Sequence, residues 1–362
     1  GFFLDRDGQP TVYLKDARQR GTAEAGLAGT LRELGMTTSQ LRILKGEFDY
    51  LQLNDWFTRA APAALAIPGA VFADLDEGSN RLRLGVETAA AERSVRELLA
   101  GRGIPSAAVV VERAEPIRYA ATLRNKVTPR VGGLQINFGN FICTLGFNTR
   151  AGFGLVIIRS FITNSHCTTV QGGVEGTQYH QPLAPNLIGT EVADPAYFTG
   201  FPCPSGRKCR FSDAARARYA SGVGSDLGGI ARTMFRALGF GSITINPANP
   251  VLNITAEAGP VQGAEVNKIG RTTGWTYGKI LATCIAVNVS NTNVTQLCQS
   301  RTTNQAAGVV GSGDSGSPVF YWRGGSNVTL IGLLWGGNAA GTFFVFSPMS
   351  GIESELGPLT TF

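Results

Sequence analysis

One short stretch of the 362-residue chain holds the makings of covalent catalysis: "VGSGDSGSPVF", Val310 to Phe320, sets Ser315 between a carboxylate and a glycine. A serine hydroxyl is a weak nucleophile at neutral pH. It needs a base to take its proton, a carboxylate to orient that base, and donors for the oxyanion that forms. Only two histidines exist, His166 and His180, and both precede Ser315. That order excludes the hydrolases whose histidine comes last, and Ser317 stands where their nucleophile elbow requires a second glycine. A subtilisin-like order needs an aspartate upstream of the histidine, and every such aspartate lies in a cysteine-free first part of the chain. What remains is His, then Asp, then Ser.

His166 lies in "FITNSHCTT", directly followed by Cys167, and the nearest earlier cysteine is Cys143 in "FICTLGF". If these two bond, the histidine loop is tied to a strand 24 residues before it, a closure worth roughly 3 kcal/mol in the chain-entropy account. His180, in "TQYHQP", has no such setting and reads as structural or exposed. The orienting carboxylate must come from Glu175, Glu191, Asp194, Asp213, Asp226, Glu257 or Glu265. Asp213 is the best placed. In "CRFSDAARARYA" it opens an alternating stretch four residues after Cys209, where a short Cys203 to Cys209 bridge would fix the approach. Asp226, among the glycines of "GVGSDLGGI", is the second candidate; Asp194 precedes a proline and reads as a turn cap.

"TNSHC", "SDAA", "GRTTGWTYG" and "GDSGSP", in this order, resemble the chymotrypsin-type serine endopeptidases, above all the bacterial α-lytic protease and streptogrisin branch, across residues 131 to 362. The resemblance implies an all-β double antiparallel barrel, chymotrypsin-like, with a cleft between the barrels holding His166 as base, Asp213 as its orienter and Ser315 as nucleophile. It implies an oxyanion hole from the backbone N–H groups of Gly313 and Ser315, and a primary pocket built by Val309, Val310 and the strand "LLWGG", with Leu334, Trp335 and Gly336 contributing. "QAAGVVGS" carries no acid, so an apolar or aromatic side chain is expected at the cleavage site rather than Lys or Arg. The pattern departs at Leu334, where a serine that helps hold the aspartate normally precedes the aromatic. The implied activity is hydrolysis of protein or peptide substrates through an acyl-enzyme, with no metal and no other cofactor. The competing reading is a catalytically silent, protease-like binding protein.

The elements that must position these residues divide by composition. Of the first 118 residues 31 are charged, against 27 of the other 244, and the second part holds all six cysteines and 35 of the 47 glycines. An even cysteine count without a CxxC pair favours disulfides over metal, using Cys143, Cys167, Cys203, Cys209, Cys284 and Cys298, and points to a secreted protein. The second part shows short strands separated by Gly, Asn and Thr turns. The first reads as a small α/β unit: Ala23, Leu27, Leu31 and Leu34 keep helical spacing up to Gly35, and Ala91, Val95, Leu98 and Leu99 up to Gly101. "AVFADL" and "RLRLGV" flank the turn "DEGSN" as a hairpin, and "AAVVVE" returns as a strand.

By arrangement and position, residues 1–118 resemble the pro-regions of the α-lytic branch, which assist folding and block the cleft; an accessory domain kept in the mature enzyme is the alternative. Residues 119–130 read as a linker before a protease domain at 131–362. A cut after Arg130 in "TPRVGG" could free Val131 to pair its ammonium with Asp314. No apolar run is long enough for a membrane, and "GFFLDRDG" is not itself a targeting segment. The net charge of +6 is dispersed, and its tightest cluster, Arg207, Lys208 and Arg210, reads as a solvated loop, so neither membrane nor nucleic acid is expected as partner.

Overall fold

The computed structural model describes residues 1–117, 119–151 and 157–362. The chain forms two compact units, Gly1–Tyr119 and Ala120–Phe362. Among the described residues no helix is long and apolar enough to cross a membrane.

In the first unit β1 (Phe2–Leu4) pairs antiparallel with β2 (Pro10–Leu14), helix α1 (Arg20–Glu33) follows, and β3 (Arg42–Lys45) lies parallel to β2. After helix α2 (Tyr50–Leu65), β4 (Ala70–Asp76) and β5 (Arg81–Val86) make the expected hairpin; α3 (Ala89–Gly101) follows, and β6 (Val109–Arg113) runs parallel to β5. Thr88 starts α3 by accepting the Ala91 N–H, and the stripe Ala91, Val95 and Leu99 is buried with Leu82, Leu84 and Val86 of β5.

The second unit starts with β7 (Arg130–Gly132), β8 (Gln135–Phe138), β9 (Phe141–Thr144), β10 (Phe147–Ala151), β11 (Ile158–Thr163), β12 (Gln178–His180), β13 (Leu187–Ala193), β14 (Lys208–Arg210) and β15 (Ala215–Tyr219). An antiparallel sheet runs β10-β11-β15-β13-β12-β8-β9. Its two end strands are separated only by Leu145 and Gly146, whose N–H groups donate to Leu134 and Ile162, so the sheet closes into a barrel around Ile136, Phe161, Tyr179 and Ile188. Next come β16 (Ser225–Ala231), β17 (Val251–Glu257), β18 (Glu265–Gly270), β19 (Gly274–Asn288), β20 (Val294–Thr302), β21 (Pro318–Trp322), β22 (Asn327–Gly337), β23 (Phe344–Pro348) and helix α4 (Met349–Leu356). Here β20-β19-β18-β21-β22 is closed by β23, which pairs with both β22 and β20. The second barrel is filled by Val266, Ile280, Val319, Ile331 and Phe346, and a third apolar cluster, including Phe147, Ile162, Ile269, Phe320 and Leu333, draws on strands of both barrels. The architecture is the expected double antiparallel barrel preceded by a small α/β unit.

Two expectations change. Residues 120–130 are not a free linker: Leu123 is wholly buried, its N–H donates to Ile243 and its carbonyl accepts from Gln135. An apolar side chain with paired backbone groups on both sides belongs to the core, not to a tether. The basic cluster is not a solvated loop either. Arg210 is 0% exposed, and Arg207 donates to the Val294 carbonyl beside β14, which pairs parallel with β20.

Candidate active site

Ser315 sits in the turn before β21. Gly313 and Gly316, on either side, have φ of +93° and +90°, and a Cβ on Gly316 would meet the Thr144 carbonyl at 2.1 Å. Only glycine tolerates that approach. Four successive carbonyls of the turn are held: Ser312 by Thr272 Oγ1 (2.6 Å), Gly313 by Thr144 Oγ1 (2.8 Å), Asp314 by the Ser317 N–H (2.9 Å) and Oγ (2.5 Å), and Ser315 by the Thr144 N–H (2.8 Å). A peptide is planar and trans, so a pinned carbonyl aims the next N–H the opposite way. The N–H groups of Gly313 and Ser315 are thereby oriented, and neither donates to another described residue.

Asp314 is buried beneath the turn. Its carboxylate accepts from Lys268 Nζ (2.9 Å), the Gly311 N–H (3.0 Å), the Thr272 N–H (2.8 Å) and Thr273 Oγ1 (2.6 Å). Lys268 is itself wholly buried; desolvation pulls its pKa below the ordinary lysine value, and the Asp314 charge offsets only part of this. In the uncut chain Asp314 takes its counter-charge from Lys268, on β18, while Val131 lies inside the unbroken strand β7.

His166 occupies a 3-10 turn, Ser165–Cys167, at the end of β11, and Cys167 is bonded to Cys143 of β9. Asp213 lies two residues before β15, which pairs with β11, so two adjacent strands deliver the two side chains side by side. His166 Nδ1 bonds Asp213 Oδ2, while Asp213 Oδ1 accepts the His166 N–H (3.2 Å) and Gln171 Nε2 (3.4 Å). Burial lowers the imidazole pKa, but the Asp213 charge and hydrogen bond outweigh it and hold His166 above its ordinary value. Burial likewise raises the Asp213 pKa, and His166, with Arg210 behind it, brings it below the usual carboxylate range.

The support of Asp213 comes from residues without a sequence signature. Buried Arg210 pairs with Asp194 (2.6 Å) and donates to the Ala214 carbonyl (2.7 Å); Asp194 also accepts from Ser165 Oγ (2.9 Å), next to His166. Asp194 is thus half of a buried ion pair and not a turn cap. Glu355 of α4 accepts the N–H groups of Phe211 (2.7 Å) and Ser212 (3.1 Å). Leu334, at the place of departure, packs in the second barrel, while Ser347 Oγ accepts the Asp213 N–H (3.0 Å) and donates to Gln299 (2.9 Å), which also takes the Trp335 indole N–H (2.8 Å).

His166, Gly313 and Ser315 line one cleft of about 590 Å³, together with Phe138, Phe141 and Ile142. The residues expected to shape the primary pocket are differently placed. Val309, Val310 and Leu334 are buried in the second barrel, whereas Trp335 and Gly336 are partly exposed, and a Cβ on Gly336 would meet only open space. Asp226 lies on β16 and His180 on β12, and neither joins this cleft. The sulfurs of Cys143 and Cys167 lie close to His166 but are spent in their disulfide, so this cluster offers a metal one ring nitrogen. The other cysteines form the bonds Cys203–Cys209 and Cys284–Cys298.

No family model matches the chain, and no curated protein matches it. Solved structures do. Thermobifida fusca protease A is 25% identical with a TM-score of 0.44, covering 64% of this chain and 98% of that one. A glutamic-acid-specific serine protease, described as using a histidine triad in substrate binding, is 24% identical with a TM-score of 0.44, covering 64% and 100%. An alpha-lytic protease homolog, N4, is 24% identical with a TM-score of 0.42, covering 64% and 98%. Over just under two thirds of its length the chain is similar to bacterial serine proteases of the chymotrypsin type.

Proposed function

We propose that this chain is the precursor of a secreted serine endopeptidase acting through Ser315, His166 and Asp213. The observation that carries the reading is the Nδ1 contact to Asp213 in a ring that lines the same cleft as Ser315. With Nδ1–H committed to the carboxylate, Nε2 is the nitrogen left to accept a proton. Ser315 Oγ adds to the peptide carbonyl as its proton passes to His166 Nε2. The new oxyanion is met by the N–H groups of Gly313 and Ser315. The imidazolium, stabilised by Asp213, then protonates the leaving amine; water repeats the sequence in reverse to free the acid and restore Ser315.

An apolar or aromatic side chain before the cut is favoured, because "QAAGVVGS", expected to build the primary pocket, carries no acid and no acid lines the cleft among the described residues. A glutamate preference read by a histidine triad is out of reach for a chain with two histidines, one of them the base. Three disulfides support export to an oxidising compartment. The first unit acts, in this reading, as folding aid and inhibitor of the second.

A fluorophosphonate should label the second unit stoichiometrically, and Ser315→Ala should abolish the labelling. A peptide library should then report cleavage after apolar residues, suppressed by adding the separate first unit. A correctly folded wild-type second unit that takes no label refutes the hydrolytic reading.

A further inference from the structure

On the outer face of the first barrel, registered partners set Thr149 of β10, Ser160 of β11 and Arg218 of β15 in one row across three strands, with Arg216 two residues along on the same face. Directly paired residues point to the same side of a sheet, so these side chains converge. With Arg150 they line a groove of about 230 Å³ whose apolar parts include Ile158 and Leu359.

Two features of the groove call for an occupant. Thr149 and Ser160 are each 4% exposed, yet neither hydroxyl has a hydrogen-bond partner among the described residues although both line the groove. Arg150, Arg216 and Arg218 line the groove, and none of them has a carboxylate within 4.0 Å among the described residues.

We propose that this groove is an oxyanion site that takes a phosphate or sulfate group. Guanidinium forks and hydroxyls supply donors, and a tetrahedral oxyanion supplies acceptors together with the missing negative charge. The apolar side accommodates an organic remainder, so the group can be a free ion or the end of a larger ester. This site does not depend on the hydrolytic reading of Ser315.

Calorimetric titration of the full chain with inorganic phosphate and with inorganic sulfate, at ionic strength held constant by sodium chloride, tests it. One saturable site is expected, weakened at least about tenfold in Arg216→Gln/Arg218→Gln, as loss of two charged donors implies, and several-fold in Ser160→Ala. Ser160→Ala removes one exposed-face hydroxyl without touching charge, and keeps the test valid should the double variant fail to fold. Repeating the titration with long-chain polyphosphate and with a sulfated polysaccharide separates the sources: equal affinity per group assigns the free ion, and tightening beyond tenfold with the same sensitivity to both variants assigns a polymer-borne group. Heats indistinguishable from sodium chloride, or binding unchanged in Ser160→Ala and in a folded arginine variant, overturn the proposal.

Discussion

Replacing Thr272 by valine removes one hydroxyl of nearly unchanged volume, and with it the bond that holds the Ser312 carbonyl. Glycine at 313 allows the Ser312–Gly313 peptide to rotate, so the orientation of the Gly313 N–H becomes an equilibrium between cleft-facing and inverted forms. A neutral hydrogen bond contributes about 0.5–1.5 kcal/mol, and losing it shifts that equilibrium by about two- to tenfold. Because kcat/KM scales with the fraction facing the cleft, the loss has that shift as its ceiling, about tenfold, and approaches it as the inverted form comes to predominate. It should stay short of the about 10²–10³ expected when an oxyanion donor is deleted outright. The assay compares kcat/KM on a peptide amide, the affinity of a peptide aldehyde that forms a tetrahedral adduct, and the affinity of a non-covalent product peptide. The first two should drop by a common factor while the third holds. Equal loss in all three, or a loss in the first two well above tenfold, refutes the assignment of Thr272 as the residue that sets the oxyanion donor.

The pH profile offers a second check. His166 must be neutral to accept the Ser315 proton, so kcat/KM should fall as pH drops through a value above the ordinary histidine one, and Asp213→Asn, which removes the raising influence, should move that limb to lower pH while cutting kcat by about 10⁴. The same pair shapes stability. The raised His166 value contributes fully below the ordinary histidine pKa and is lost as pH rises through the raised one; the lowered Asp213 value contributes above the ordinary carboxylate pKa and is lost as pH falls through the lowered one. Urea midpoints should therefore show the wild-type advantage over Asp213→Asn at its fullest between about pH 3.9 and 6.5, and an advantage independent of pH counts against the pairing. Lys268→Met leaves the Asp314 charge buried with no cation, and should cost about 3–5 kcal/mol in chemical denaturation; a cost below about 1 kcal/mol would mean that the N–H groups of Gly311, Thr272 and Thr273 suffice alone.

The residues of the candidate site were legible because they are scarce or locally marked. Two histidines leave little choice of base, and the glycines around Ser315 announce a turn that no ordinary side chain can make. Helices α1 and α3 and the β4–β5 hairpin were equally plain, each having an apolar period or a turn sequence of its own. Helix α2 went unread although Leu53, Trp56, Ala60 and Ala64 keep helical spacing, since Pro62 lies inside it and proline ordinarily argues for a helix end. Residues that act through distant partners left no trace. Lys268 meets Asp314 across 46 residues, and Arg210 meets Glu355 across 145, so each reads locally as a surface charge until folding supplies its partner. Ser347 and Gln299 support Asp213 from strands far along the chain, which is why Leu334 looked like a missing prop.

Lys268 has a bearing on how such a molecule could be kept in check. In a design that awaits a freshly cut terminus, the machinery is deformed until the cut is made, and latency is a matter of shape. Here the counter-ion under the nucleophile turn is woven into a neighbouring strand, so the turn is complete as soon as the barrel closes. In the proposed precursor, restraint is then a cover over a finished tool, and whatever lifts the cover need not rebuild anything beneath it.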